Sequence, residues 1–331
     1  MEKRTLGATG LRVSVLGFGC GEVGGLMVRG TVAQREQAVA RALELGINYF
    51  DTAPLYGGGE SEKNLGQALR RLRSDALIGT KVRLGSLDRR RVEASIVASL
   101  DASLRRLGRE QVDLLQLHNQ ISMNPADDAL DVNVVLDLVV PTFERLRTQG
   151  KIRAYGITAL GETEALHKVI DSSTVGTAQV VYNLLNPSAA CALHPGFPAQ
   201  DFGNLLNRIR LAGKGALGIR VLAAGALGGS DARHPLGLKS VKPMGSGSDY
   251  DADLRRAGQL KALVRKGHVG SLAEAALRFA SGNADLATTL IGISSLDQLE
   301  IAAAAINKGS LTPDACDLVN RVQAGFVGEP R

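Results

Sequence analysis

Short apolar runs alternate with stretches of helical period from Val13 almost to the end of the chain. The runs read as strands at Val13–Gly19, Ile47–Thr52, Ala76–Val82, Asp113–His118, Ile152–Thr158, Ala178–Asn183, Leu217–Ala223 and Thr288–Ile293. Several are apolar almost without interruption, the pattern of strands buried on both faces of a sheet. Between them, amphipathic spacing predicts helices over Val32–Leu45, Glu60–Leu72, Arg89–Leu107 and Val134–Gln149. Thr31 fits an N-cap and Gly46 a C-cap for the first of these. Arg255–Lys266 and Leu272–Ala280 read as two more helices before the last strand.

Eight strands alternating with helices predict an α/β fold, a (β/α)8 barrel of the TIM type. Such barrels take ~250 residues, so a chain of 331 has length to place elsewhere. Residues 1–12 predict an N-terminal hairpin that closes the barrel bottom. Ile121–Asp131 and the Gly-, Ser- and Pro-rich Gly225–Tyr250 predict long rim loops. No linker divides the sequence, and one domain over residues 1–331 is expected.

Composition narrows the function. Aromatics are only 4% and Trp is absent, which predicts an aliphatic core. The net charge of +6 comes without a long basic run. Arg89-Arg90-Arg91 is the densest cluster and reads as a solvated helix start, with none of the aromatic interleaving of a nucleic-acid surface. Three widely spaced cysteines with no CxxC fit a reduced setting. No apolar signal core and no run of ~18 apolar residues is present, so a soluble cytoplasmic protein with no membrane partner is expected. The five histidines show no metal-ligand spacing, and no GxSxG occurs.

Three segments place titratable groups at or just past strand ends. They are Asp51-Thr52-Ala53-Pro54-Leu55-Tyr56, Gly79-Thr80-Lys81 and Leu115-Gln116-Leu117-His118. Singly, each has a plain reading: Tyr56 a half-buried aromatic, Lys81 a snorkelling cation, His118 a core histidine, Asp51 a helix cap. Gathered on one rim, a phenol, an ammonium, an imidazole and a carboxylate suit proton transfer to a carbonyl oxygen beside a hydride-carrying cofactor. Gly19-Cys20-Gly21-Glu22-Val23-Gly24 also matches GxGxxG, and Asp51 follows where a ribose-binding acid would sit in a doubly wound fold. Against that, the helical pattern begins only near Thr31, and such a fold has no use for Lys81 and His118.

From Leu11-Arg12-Val13-Ser14-Val15-Leu16-Gly17-Phe18-Gly19 to about Ala305, the chain resembles the aldo-keto reductase family. The most specific parts are Asn48-Tyr49-Phe50-Asp51-Thr52-Ala53 with Tyr56-Gly57, Ser61-Glu62 with Leu65-Gly66, and the Lys81 and His118 strand ends. The bacterial branch that includes aldose and sugar dehydrogenases is the nearer likeness. The resemblance implies the barrel fold and NAD(P)-dependent interconversion of a carbonyl, in an aldehyde, ketone or sugar, with an alcohol. It implies Tyr56 as general acid and base, Lys81 lowering the phenol pKa, Asp51 orienting Lys81, and His118 donating to the substrate oxygen.

On the cofactor side it implies Gly19, Thr158, Gln179, Ile219, Arg220, Leu222, Gly292, Ser294 and Gln298. Gln179 matches the residue for the nicotinamide carboxamide, beside Thr158-Ala159 where relatives have Ser-Asn. Ile219 stands for an aromatic that stacks on the ring, and Arg220 for a serine, which implies a pyrophosphate contact. Relatives preferring NADPH carry Arg near Ser294 and Asn near Ala302; both are missing, which leans slightly towards NAD and leaves NADP open. These departures keep two other readings in play: a lyase, isomerase or cyclase using the same four groups, and a cofactor-binding regulatory protein. Substrate identity and oligomeric state are not readable from the residues.

Overall fold

The computed structural model describes residues 1–85, 89–126, 129–172, 174–229 and 232–328. Strands β1 (Lys3–Thr5) and β2 (Arg12–Ser14) form an antiparallel hairpin. The chain then lays down β3 (Leu16–Gly19), β4 (Tyr49–Asp51), β5 (Leu77–Val82) and β6 (Val112–Leu117). A two-residue parallel pair, β7 (Ile121–Ser122) and β8 (Leu130–Asp131), lies outside the sheet. Strands β9 (Ile152–Thr158), β10 (Thr177–Val181), β11 (Gly215–Ile219) and β12 (Leu286–Gly292) follow. Strands β3–β6 and β9–β12 close into one ring, in chain order, with β12 pairing back onto β3. Every pairing in the ring is parallel. The expected eight-stranded barrel is therefore the fold, and the closed ring excludes an open doubly wound sheet.

Local chemistry sets the helices around it. The helix Val32–Glu44 starts at Thr31, whose Oγ1 accepts the Gln34 N–H at 3.2 Å while Gln34 Oε1 accepts the Thr31 N–H at 2.9 Å. This reciprocal cap contributes about 1 kcal/mol. Ala38, Val39 and Ala42 form its buried face. Gly46 follows the capping Leu45 with φ +83°, a left-handed turn that lets the chain fold back to β4.

The barrel interior changes character along its axis. At the N-terminal end, Leu6, Leu11 and Val13 from the hairpin region pack with Tyr49, Leu114, Ala154, Leu217, Ala287 and Leu290. The hairpin thus seals the bottom, as expected. Above this plug the buried interior turns polar, with Gln116 and then Asp51, Lys81, Thr158 and Gln179. Polar groups this deep lie at the C-terminal ends of the strands, where barrel sites are built.

Several boundaries differ from the sequence reading. The run Val13–Gly19 is two strands, because Arg12–Ser14 pairs with Lys3–Thr5 before the chain enters the ring. The run Leu217–Ala223 stops at Ile219, where Arg220 takes φ +58° and Ala223 and Ala224 are also left-handed. Arg255–Lys266 is two helices, Tyr250–Leu260 and Ala262–Arg265. A short helix, Leu26–Arg29, precedes the one that begins after Thr31. The rim segment from Gly225 starts within a short helical turn, Ala223–Gly228, and gives way to helix at Tyr250. No helix among the described residues is long and apolar enough to cross a membrane.

Candidate active site

Four side chains meet at the C-terminal mouth of neighbouring strands. Asp51 is the last residue of β4, and Tyr56 opens the short turn Tyr56–Gly59 that follows. Lys81 stands near the end of β5, and His118 comes directly after β6. Lys81 is 2% exposed and Asp51 6%, and their side chains form an ion pair. The ammonium also donates to the Thr52 carbonyl at 2.8 Å. It lies 4.9 Å from the Tyr56 ring centroid and hydrogen-bonds the Tyr56 side chain. His118 meets Tyr56 edge-on, with centroids 6.0 Å apart and planes at 89°.

The second Asp51 oxygen accepts the Gln179 amide N–H at 2.6 Å and faces the Tyr49 hydroxyl at 3.4 Å. Gln179 Oε1 accepts from the Thr158 hydroxyl at 3.2 Å. Thr158 and Gln179 are therefore joined to the charged pair, across the barrel from Lys81. Tyr49 was not singled out by the sequence; its place two residues before Asp51, on the same face of β4, is the signal that pointed to it.

Burial sets the protonation of these groups. Desolvation lowers the Lys81 pKa, but Asp51 and the Tyr56 oxygen raise it further, and the net shift is upward. The ammonium is charged. Tyr56 is raised by burial first; Lys81 pulls it down, Asp51 pushes it up, and Arg220 pulls it down. The net direction is upward. The sequence-based expectation of a phenol lowered by Lys81 holds for that single interaction and fails for the sum, because desolvation outweighs it. His118 is lowered to about 3 by burial, then by the Lys81 and Arg83 charges. It is a neutral imidazole, with a buried Nδ1 that has no partner. Burial also raises the Cys20 thiol, which is 1% exposed and not a reactive thiolate.

Beside the four groups runs a cleft of about 440 Å³. Arg220, Leu222, Gly292, Ser294 and Gln298 line it, together with Ala302. Arg220 has a buried Nη1 without a hydrogen-bond partner. Gly19, Thr158, Gln179 and Ile219 are not among the lining residues. Gly19 is pressed against the Ile291 carbonyl, so that a Cβ there would stand 2.6 Å from that oxygen. Ser294 is tied into the frame: its hydroxyl donates to the Gly24 carbonyl at 2.7 Å and its N–H to Gln298 Oε1 at 2.9 Å. Ser295 caps the helix Leu296–Asn307.

The cleft also holds Arg233, His234 and Tyr250, none of which the sequence reading assigned to the site. They belong to the segment after β11 that was expected to lie near the rim. That segment crosses to the loop after β3: Arg29 Nε donates to the Leu236 carbonyl at 2.6 Å and the Leu238 N–H to the Val23 carbonyl at 3.3 Å. The crossing forms a strap over the cleft. Among the described residues no group of three or more His, Cys, Asp or Glu is arranged to hold a metal ion.

A family model described as "Aldo/keto reductase family" matches residues 15–324. The chain is 30% identical over 315 residues to L-galactose dehydrogenase from Arabidopsis thaliana, covering 93% of this chain and 89% of that protein. It is 30% identical over 215 residues to D-threo-aldose 1-dehydrogenase from Pseudomonas sp, covering 57% of this chain and 63% of that protein. Among solved structures, the aldo-keto reductase AKR11C1 from Bacillus halodurans in its holo form superposes with a TM-score of 0.73 at 27% identity, covering 99% of this chain and 98% of that one.

Proposed function

Since the chain belongs to the aldo/keto reductase family, we propose that Tyr56 is the acid and base of its reaction, with Lys81, Asp51 and His118 as the groups that set its proton and hold its substrate. The protein is an oxidoreductase enzyme of the kind that interconverts carbonyls and alcohols with a nicotinamide cofactor. The cofactor, when bound, supplies or accepts the hydride at the substrate carbon.

The observation that carries the reading is the buried Lys81 ammonium, placed between Asp51 and Tyr56. In reduction the Tyr56 hydroxyl gives its proton to the carbonyl oxygen. The nearby ammonium then stabilises the phenolate left behind. Neutral His118 offers a hydrogen bond to the same oxygen without adding charge, and its edge-on contact with Tyr56 fixes the angle between the two donors. Asp51 keeps Lys81 charged and Gln179 keeps Asp51 in place.

The cofactor fits the cleft on physical grounds. Arg220 presents an unpartnered guanidinium nitrogen to the cleft, a group suited to a pyrophosphate. Leu222 and Gly292 offer an apolar or bare-backbone wall, Ile219 stands at the end of β11 behind it, and Ser294 and Gln298 lie at the helix start beyond. Thr158 and Gln179 are the amide-binding pair for the carboxamide, once Gln179 exchanges one of its present partners. Gly19 supports this wall through its contact with β12. The substrate is a sugar or another small polar carbonyl, in keeping with the galactose and aldose for which two similar proteins are named.

Titration of the protein with NADPH and NADH, followed by cofactor fluorescence, tests the reading; no change with either would end it. The pKa directions give a further expected result. Tyr56 remains a protonated phenol to above the ordinary ~10, so reduction is flat between pH 6 and 8. Alcohol oxidation needs the phenolate and rises about tenfold per pH unit over the same range. His118 adds a stability signature. Its folded pKa of about 3 lies below the ~6.5 of the unfolded chain, so the unfolded chain binds the extra proton. Stability falls as pH drops from about 6.5 towards 3, and His118→Gln flattens that slope in thermal melts.

A further inference from the structure

The strap carries its own chemistry into the cleft. Arg233 donates through Nη2 to the Ala224 carbonyl and through Nη1 to the Leu238 carbonyl at 3.2 Å. Its guanidinium lies over Tyr250, 4.9 Å from the ring centroid. Two carbonyls and a ring face hold the group flat without neutralising it. The next residue, His234, accepts the Leu236 N–H on Nδ1 at 3.2 Å, which puts the ring proton of the neutral tautomer on Nε2 as a donor.

The position of this pair in the cleft follows from its neighbours. Arg220 is at the end near the chemistry, where its charge acts on Tyr56. Arg233 and His234 line the same cleft from the segment after β11. The turn after His234 reaches Ser294, since a Cβ at Gly237 would stand 3.2 Å from the His234 carbonyl and 4.0 Å from Ser294 Oγ. No aspartate or glutamate lines the cleft among the described residues. A ribose with a free 2′-hydroxyl is commonly read by a carboxylate, and a 2′-phosphate by an arginine. Here the carboxylate is missing from the lining and the Ser294 hydroxyl is spent on Gly24.

We propose that Arg233, with His234, recognises the 2′-phosphate of NADP(H), so that the strap after β11 selects the phosphorylated dinucleotide. The inference rests on the nicotinamide reading above and goes against the lean to NAD drawn from Ser294 and Ala302. It moves the selecting cation from the end of β12 to the segment after β11.

Isothermal titration of the full chain with 2′-phospho-ADP-ribose and with ADP-ribose isolates the phosphate, because neither ligand carries nicotinamide. The phosphorylated ligand is expected to bind at least about tenfold tighter, the scale of one charge-assisted contact. Arg233→Gln is expected to cut that ratio below about threefold and leave ADP-ribose within about twofold, while Arg233→Lys keeps most of the preference. His234→Gln, which leaves the guanidinium in place, is expected to cut the ratio in part, and it stands as the second probe if Arg233→Gln melts early. Equal binding of the two ligands by the wild type, or an unchanged ratio in Arg233→Gln, overturns this inference alone. Failure of both ligands to bind overturns the nicotinamide reading and this inference with it.

Discussion

Tyr56→Phe is expected to lower kcat for carbonyl reduction by roughly 10²–10⁴-fold, the usual contribution of a positioned acid. The substitution removes one oxygen and little else. The phenyl ring keeps its edge-on contact with His118 and its place beneath the Lys81 ammonium. The lost oxygen leaves one N–H of the buried Lys81 ammonium without an acceptor, so the variant should melt somewhat below the wild-type temperature. Cofactor affinity, read by fluorescence titration, should stay within about twofold, because Tyr56 is not among the residues lining the cleft. A variant that keeps a tenth of the wild-type rate would mean that the proton comes from elsewhere, with His118 the first candidate.

Asp51→Asn carries the second large effect, and it falls on stability as well as rate. Lys81 is 2% exposed and owes its raised pKa to Asp51 and Tyr56. Replacing the carboxylate by an amide keeps the shape and an acceptor for Gln179, yet leaves a cation in a low-dielectric site without its counter-charge. Removing one partner of a buried pair typically costs about 3–5 kcal/mol. The loss should show as a lower urea midpoint with an unchanged slope. Lys81 will shed its proton to relieve the strain, so the phenolate loses its cation and the rate falls too. The double variant Asp51→Leu/Lys81→Met should recover most of the stability, because no charge is left buried, and none of the activity. A single variant within about 1 kcal/mol of wild type would show that Lys81 is already neutral in the native protein.

The barrel was readable because buried parallel strands need continuous apolar runs, and each of the eight runs overlaps one strand of the ring. Where the reading slipped, a tertiary contact decided. Val13-Ser14-Val15-Leu16 is one apolar stretch in the sequence, yet Lys3–Thr5 pairs with its first part and pulls it out of the ring. Ser14 and Asn48 fix the break, with the Ser14 N–H donating to Asn48 Oδ1 at 2.7 Å. Leu217–Ala223 also reads as one run, and nothing in its composition announces that Arg220 is left-handed.

The site divides in the same way. Residue types at strand ends marked Asp51, Lys81 and His118, since a barrel must present strand ends at one mouth. The direction of the Tyr56 pKa was not readable, because it depends on how deeply the ring is buried. Nor was the occupation of the Ser294 hydroxyl, whose partner Gly24 lies 270 residues away in sequence. Arg233 and His234 escaped notice for a similar reason: a Gly-rich segment shows its polar residues but not the wall they face.

The strap that joins Leu236 and Leu238 to Arg29 and Val23 is fastened by two hydrogen bonds. With a dinucleotide beneath it, as proposed, exchange would wait for those bonds to open, and this wait would be the same whatever carbonyl has just been turned over. Residence of the spent dinucleotide would then be the clock of the cycle, in the manner of enzymes gated by loop opening. Easy and difficult substrates should accordingly converge on one ceiling of throughput, and differ chiefly in the concentration needed to reach it.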